Sequence, residues 1–229
     1  MATFFSRRRL LVLARRHPSA WLLMLQLLGI ALYPTLDGMA WGNVILGAFG
    51  VTGLALALWV VNRSPSINWI AWCLAVPGAL LSLAAVGLGS APLLAFAHVL
   101  EGGLYFYTAG SLIAYMLQDH EVTSDELFAA GATFTLLAWG FAFAFSVCQL
   151  RYPGSFIAAV HPDQQRSWME LLSLSFSMLS GVGLSDIMPV RPQARALVMF
   201  AQFAGVMYIA LVVSRLIGLS ILRHARAPD

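Results

Sequence analysis

The most informative segment of the chain is residues 167–215, SWMELLSLSFSMLSGVGLSDIMPVRPQARALVMFAQFAGVMYIALVVSR. It begins with a predicted short helix, Trp168–Leu179, which would rise roughly 18 Å and so cross only about half of a bilayer. A glycine-rich loop, Ser180–Asp186, a proline-punctuated turn and a long apolar run from Ala194 to Leu222 follow. Because lipid offers no hydrogen-bond partners, such a loop is tolerated at membrane depth only inside protein or along a water-filled path.

The composition of the whole chain indicates a membrane protein. Of its 229 residues, 60% are hydrophobic and only 10% are charged, and its mean hydropathy is +0.80. A soluble domain has roughly 25% charged residues. All thirteen basic residues are arginines, mostly near the chain ends, which suits anchoring to a membrane. A nucleic-acid partner is not expected, since binding one would need a solvated basic face.

Hydropathy predicts six membrane spans, each near or above the roughly 20 residues that cross the hydrocarbon core. Arginines precede the first span and follow the last, whereas the short loops predicted on the outer side carry none. Both termini should therefore be cytoplasmic in a multi-pass protein of the inner (plasma) membrane. The six predicted spans are Ala20–Leu36, Trp41–Val61, Ile67–Leu88, Pro92–Leu117, Leu127–Leu150 and Ala194–Leu222.

The N-terminal segment, residues 1–18, alternates apolar and arginine-rich stretches. This pattern predicts a helix that lies in the membrane interface. The alternative is a signal peptide, for which Gly38-Met39-Ala40 is a marginal cleavage site. We expect the segment to be retained.

The glycine-rich loop and the residues after it carry motifs in a fixed order. Gly181-Val182-Gly183-Leu184-Ser185-Asp186 is followed by Ile187-x-Pro189-Val190-x-Pro192, by Gly205 and by Ser214-Arg215-Leu216-Ile217-Gly218. In this register the chain resembles the pore domain of tetrameric potassium channels, whose filter reads Thr-Val-Gly-Tyr-Gly-Asp. The resemblance covers about residues 124–222, less than half of the chain.

The resemblance implies an all-α membrane protein with six transmembrane helices and a re-entrant pore helix and filter loop between the fifth and sixth. Because one chain supplies one wall of a filter, it implies a homotetramer in the lipid bilayer. Such a channel passes K⁺, or less selectively Na⁺, and needs no cofactor, catalytic residue or other metal. The predicted regions are an interfacial segment (1–18), four peripheral helices (19–122), the pore domain (123–222) and a short cytoplasmic tail (223–229).

The resemblance also assigns the selectivity filter and shows three departures from the family pattern. Gly181 replaces a threonine whose hydroxyl is an ion ligand, and Leu184 replaces a tyrosine that braces the filter, so packing must supply the bracing. Ser185 replaces a glycine at positive φ, which would cost serine roughly 1 kcal/mol. The filter, and with it the ion-binding site, is expected to comprise Ser180, Gly181, Val182, Gly183, Leu184 and Ser185.

Two carboxylates, Asp186 and Glu170, are candidates for the outer pore mouth. The pattern Ser167-x-x-Glu170 is also a capping box, and for Glu170 we favour that role. Arg191 and Arg195 flank the predicted mouth, where we expect them to pair with nearby acidic side chains rather than repel cations.

The last apolar run would form the inner helix of the pore. Gly205 is the candidate gate hinge, and the alternative is a close contact between helices, for which membrane proteins often use glycine. Arg215 should lie near the cytoplasmic end, with its guanidinium extended to the headgroups.

The predicted fourth span, Pro92–Leu117, has no arginine or lysine, so it lacks the charges of a voltage sensor. It carries instead His98, Glu101 and Tyr105, a spacing that favours one helical face. An unpaired carboxylate there would cost about 2.5–3.5 kcal/mol. The functional interpretation is a proton, lipid or ligand sensor. The structural one, which we favour, is a polar pair that holds the peripheral helices against the pore.

Two other classes of function stay open. One is a weakly selective or non-conducting pore-like scaffold, which the altered filter suggests. The other is a transporter or membrane enzyme that uses the face of His98 and Glu101. A transporter would usually show an internal repeat with paired broken helices, and we find none in the sequence.

Overall fold

The computed structural model describes residues 18–36, 52–53, 55–59, 68–118, 124–215, 217–218 and 221. The predicted interfacial segment and the predicted cytoplasmic tail lie outside these residues, apart from Pro18. Most of the predicted second span also lies outside them, although 52–53 and 55–59 are helical.

Among the described residues, four long helices come before residue 152. They are α1 (Pro18–Leu36), α2 (Asn68–Leu88), α3 (Ala91–Gln118) and α4 (Ser124–Arg151). Their bounds agree within about three residues with the apolar runs read from the sequence. Helix α4 has acidic residues in its first turn and an arginine in its last, the arrangement that a helix dipole favours.

The described residues after α4 contain two more helices and one pair of short strands. Helix α5 (Trp168–Leu179) has the bounds that the sequence predicted, and α6 (Pro192–Tyr208) continues into a π-helical segment, Ile209–Val213. Strands β1 (Phe156–Ala158) and β2 (Ile187–Pro189) pair antiparallel. The all-helical expectation therefore holds for the described residues except at these two strands, which join the segment before α5 to the turn after the glycine-rich loop.

Three of the described helices are long and apolar enough to cross a membrane: Asn68–Leu88, Asp125–Arg151 and Pro192–Val213. Helices α1 and α5 are apolar but shorter by this criterion. Helix α3 has 28 residues, yet its polar side chains lower its hydropathy. The described chain is thus that of a helical membrane protein, and the six-span arrangement stays a prediction.

Two hydrophobic clusters hold the helices together. The first is centred on α3 and α4 and includes Leu104, Leu112 and Leu136. The second surrounds α5, where Leu174 and Leu179 are fully buried against residues of α4 and α6. One face of α5 is therefore enclosed by α4 and α6, whereas Ser173 on its other face and the chain on both sides of the helix are exposed.

Candidate functional site: the α5 helix and its loop

A reciprocal cap begins the α5 helix. Ser167 has extended backbone angles (φ −66°, ψ 163°), and its side chain accepts a hydrogen bond from the Glu170 backbone N–H. The Glu170 carboxylate in turn accepts from the Ser167 backbone N–H at 2.5 Å. The capping role of Glu170 is confirmed, and its role at a pore mouth stays a prediction.

A buried arginine reinforces this cap. The Arg166 side chain is 3% exposed and forms an ion pair with Glu170 at 3.2 Å. Its other guanidinium N–H groups donate to the backbone carbonyls of His161, at 2.6 Å, and Gln164. These bonds supply the partners that a guanidinium needs away from water.

Gln149 ties the same region to helix α4. Its amide nitrogen donates to the Arg166 carbonyl at 3.0 Å, and its amide oxygen accepts from the Arg166 backbone N–H at 2.7 Å. Deeper along α5, the buried Ser175 hydroxyl donates to the Ala138 carbonyl at 2.7 Å. The start and the middle of α5 are thus both hydrogen-bonded to α4.

The glycine-rich loop has a left-handed backbone at alternate positions. Gly181 has φ +76° and Gly183 has φ +67°, a region that glycine enters at little cost. Between and after them, Val182 is 70% and Leu184 83% exposed in the single chain. The loop is therefore exposed from Ser180 to Leu184 in the single chain, including both of its apolar side chains.

One serine of α5 holds this loop from the side of the helix. The Ser177 hydroxyl donates to the Leu184 carbonyl at 2.6 Å, and the Ser177 carbonyl accepts from the Gly183 backbone N–H at 3.1 Å. The Leu184 side chain is exposed in the single chain, so the expectation that its packing braces the loop stays a prediction. Within this chain, the hydrogen bond from Ser177 holds the loop at Leu184.

Ser185 has no positive φ: among the described residues, His161 is the non-glycine residue that has one. The predicted strain at Ser185 is therefore absent. Its hydroxyl instead accepts from the Ile187 backbone N–H at 3.1 Å, a local turn bond. Asp186 is exposed beside it, a position that agrees with its predicted location at a mouth and does not test it.

The flanking arginines do not form the expected pairs. Glu170 pairs with Arg166, and the Arg195 side chain donates to the Pro189 carbonyl at 3.2 Å. Arg191 is the residue before α6 and provides no side-chain cap. The ion pair that matters for α5 therefore comes from an arginine on its N-terminal side.

Gly205 lies against the backbone at the end of α5. A Cβ atom at this position would be only 1.9 Å from the Leu179 carbonyl oxygen, so no other residue fits without moving a helix. Helix α6 continues past Gly205 to Tyr208. Close packing thus accounts for this glycine, and the hinge stays a prediction.

Two further hydrogen bonds connect α6 and the residues that follow it to α4 and α3. The Tyr208 hydroxyl donates to the Ala130 carbonyl of α4 at 2.5 Å. The Arg215 guanidinium donates to the Met116 carbonyl near the end of α3. Arg215 therefore has a protein acceptor, in contrast to the expected snorkelling.

The three polar residues of α3 contact two different helices. His98 Nδ1 lies 3.0 Å from the Ser146 hydroxyl of α4, and Tyr105 stacks on Phe143 of α4 at 5.5 Å between ring centroids. Glu101 is buried and lies against Gly78 of α2. His98 and Glu101 therefore contact different helices, and their role as a sensor or as a structural polar face stays a prediction.

Aromatic side chains connect α3 to the first residue of α5. The Trp168 ring lies 4.4 Å from Phe143 and 5.9 Å from Trp139, and 6.1 Å from His98. Cavities of about 450 and 440 Å³ lie on either side of His98, the first beside α5 and the second beside α6. This aromatic cluster brings His98 of α3 and two aromatic residues of α4 against the first residue of α5.

Sequence reasoning missed four residues of this site: Arg166, Gln149, Ser177 and Trp168. A cation four residues before Glu170 was visible as an i, i+4 pair. Gln149 and Trp168 depend on contacts between distant segments, and Ser177 depends on the way the adjoining loop folds back onto α5. The sequence pattern contains neither.

A family model described as "Ion channel" matches residues 104–219, just over half of the 229 residues. The chain therefore belongs to this family of ion channels. The match begins in the middle of α3, about twenty residues before the resemblance noted in the sequence. No curated protein and no solved structure matched the chain.

Proposed function

We propose that four copies of this chain form a channel that passes monovalent cations, K⁺ above Na⁺, through a pore lined by the loop Ser180–Ser185. The observation that carries the proposal is the alternation of left-handed glycines, Gly181 and Gly183, in an exposed loop directly after a half-length helix. A cation is favoured near the C-terminal end of such a helix, which carries partial negative charge.

Assembly around an axis is supported by the exposed apolar surface of the pore region. Val182 and Leu184 of the loop are exposed in one chain, as are side chains along α6. Lipid can cover part of this surface, but a glycine-rich loop needs protein or water around its carbonyls. The exposed apolar side chains of α6 are Met199, Phe200, Phe203, Val206 and Met207.

The proposed channel is not gated by a charged sensor helix. Helix α3, which occupies the fourth predicted span, contains no arginine or lysine, so the membrane potential has little charge to move there. We also propose six spans, with both termini cytoplasmic in the inner (plasma) membrane, because the arginines lie mostly at the chain ends.

The decisive experiment is ion flux from liposomes that contain the full chain, with a K⁺ gradient, a Na⁺ gradient or none. Gly183→Asp should abolish the flux, because it adds an anionic side chain and strain at a left-handed position of the pore lining. Gly154→Asp is the matched control: Gly154 has φ +75° and, like Gly183, has no atom within 4 Å of an added Cβ, but it lies before β1.

Flux in Gly183→Asp equal to that of the wild type would refute the pore assignment. Equal K⁺ and Na⁺ fluxes would refute selectivity and leave the channel. Native mass measurement should give four chains per particle, and a stable monomer or dimer would contradict the assembly.

A second candidate, a pore-like scaffold that conducts weakly or not at all, is favoured by one observation. The Leu184 carbonyl, which would line the pore in the family pattern, is hydrogen-bonded to Ser177. A tetramer without measurable flux in the same liposomes would select this candidate.

A further inference from the structure

We propose that Ser177 sets the ion discrimination of the pore by keeping the Leu184 carbonyl bonded to the protein. The inference rests on the proposed function, since it concerns the same loop. According to this inference, a side chain behind the loop determines how many of the loop's oxygens are available to an ion.

Ser177 contacts the loop at three points. Its hydroxyl donates to the Leu184 carbonyl at 2.6 Å. Its own carbonyl accepts from the Gly183 backbone N–H at 3.1 Å and from the Ser180 hydroxyl at 3.1 Å. These bonds hold the Gly183 N–H and the Leu184 carbonyl, which lie in the peptide groups before and after the one that joins Gly183 to Leu184. The direction of the Leu184 carbonyl is therefore fixed by α5.

The other loop carbonyls differ from that of Leu184. Within the part of the chain that the structure describes, no hydrogen-bond donor reaches the carbonyls of Gly181, Val182 or Gly183. Selectivity in carbonyl-lined filters depends on the number and field strength of the oxygens around the ion. An oxygen that already accepts a short hydrogen bond points toward its donor and is a weaker ligand.

The wild-type loop should therefore offer fewer strong ligands at its outer end than the free backbone would. Removing the Ser177 hydroxyl releases one carbonyl per chain. Since more oxygen ligands favour the larger K⁺ ion, the change should raise K⁺ over Na⁺ discrimination.

The test is the K⁺/Na⁺ permeability ratio of the reconstituted full chain, measured from reversal potentials. Ser177→Ala should raise the ratio about fivefold, the effect of one hydrogen bond of ordinary strength. Ser177→Thr keeps the hydroxyl and should retain the wild-type ratio. Ser173→Ala is the control, because Ser173 is exposed on the same helix and should leave the ratio unchanged.

If Ser177→Ala does not assemble, Ser177→Cys replaces it, since a thiol is a weaker donor, and its ratio should lie above that of the wild type. An unchanged or lower ratio in the assembled variant would overturn this inference and leave the channel. A silent wild type would overturn the proposed function and, because the inference rests on that function, the inference with it.

Discussion

The two ends of helix α5 differ in how far their polar groups are hydrogen-bonded within the chain. At the N-terminal end, Arg166, Ser167 and Glu170 are bonded to one another, and Gln149 of α4 binds the backbone of Arg166. At the C-terminal end the chain turns through two left-handed glycines into a loop whose side chains are exposed. The first end is hydrogen-bonded within its own chain, whereas the residues that follow the second end are left exposed by it.

This difference shows how a short helix can be held rigidly while its far end stays available. The ion pair and the cap fix the start of α5, and the Ser175 bond to α4 fixes its middle. The C-terminal turn is then positioned without bonds that would occupy the loop carbonyls, apart from the one at Leu184. Substitutions at the two ends should therefore separate folding from conduction.

The largest effect is expected from Gly205→Ala, which would force α6 away from the C-terminal end of α5. Adding a Cβ where the Leu179 oxygen lies 1.9 Å away should lower the free energy of unfolding by about 3 kcal/mol. Thermal unfolding in detergent measures this change. Gly218→Ala is the control, because nothing lies within 4 Å of a Cβ there. Unchanged stability with altered channel opening would favour the hinge role instead.

A smaller effect is expected at the N-terminal end from Arg166→Met. This change removes the Arg166 partner of Glu170 and of the His161 and Gln164 carbonyls. It should lower the free energy of unfolding by about 2 kcal/mol, because Glu170 is one-third exposed and water can replace part of the pair. Arg195→Met, the same change at an exposed arginine, should cost less than about 0.5 kcal/mol. Assembled Arg166→Met should keep the wild-type permeability ratio, and a changed ratio would show that the two ends are coupled.

The smallest effect concerns the contact between α3 and α4. A double-mutant cycle with His98→Ala and Ser146→Ala should give a coupling of about 0.6 kcal/mol, typical of hydrogen bonds between membrane helices. Unfolding of the two single variants and the double variant measures it. Additive effects would mean that His98 acts through its aromatic neighbours rather than through Ser146.

The sequence predicted much of this architecture, because its main signals are local. Apolar runs predicted α1 to α4, the capping box predicted the start of α5, and the glycine-rich loop predicted its end. The glycine at position 183 suits the left-handed backbone found there, since glycine is the residue that reaches that region cheaply. The family resemblance pointed to the same segment that the ion-channel match covers.

The remaining features depend on contacts that no local pattern encodes. The partners of His98 and Glu101 differ because α3 packs between α2 and α4, and helical spacing alone could not assign those faces. The Ser177 bond requires the loop to fold back on α5. At Ser185 the family pattern misled, because the backbone here bends differently from a loop with glycine at that position.

The π-helical segment Ile209–Val213 changes the direction of the side chains that follow α6. Such a segment inserts about one extra residue into a helical turn, which rotates everything after it by roughly 100° about the helix axis. Each side chain beyond Val213 therefore points in the direction that a neighbouring residue would take if the α-helix ran without interruption from Pro192. Arg215 reaches the Met116 carbonyl of α3 from beyond this offset, so a change of winding at 209–213 would swing it away.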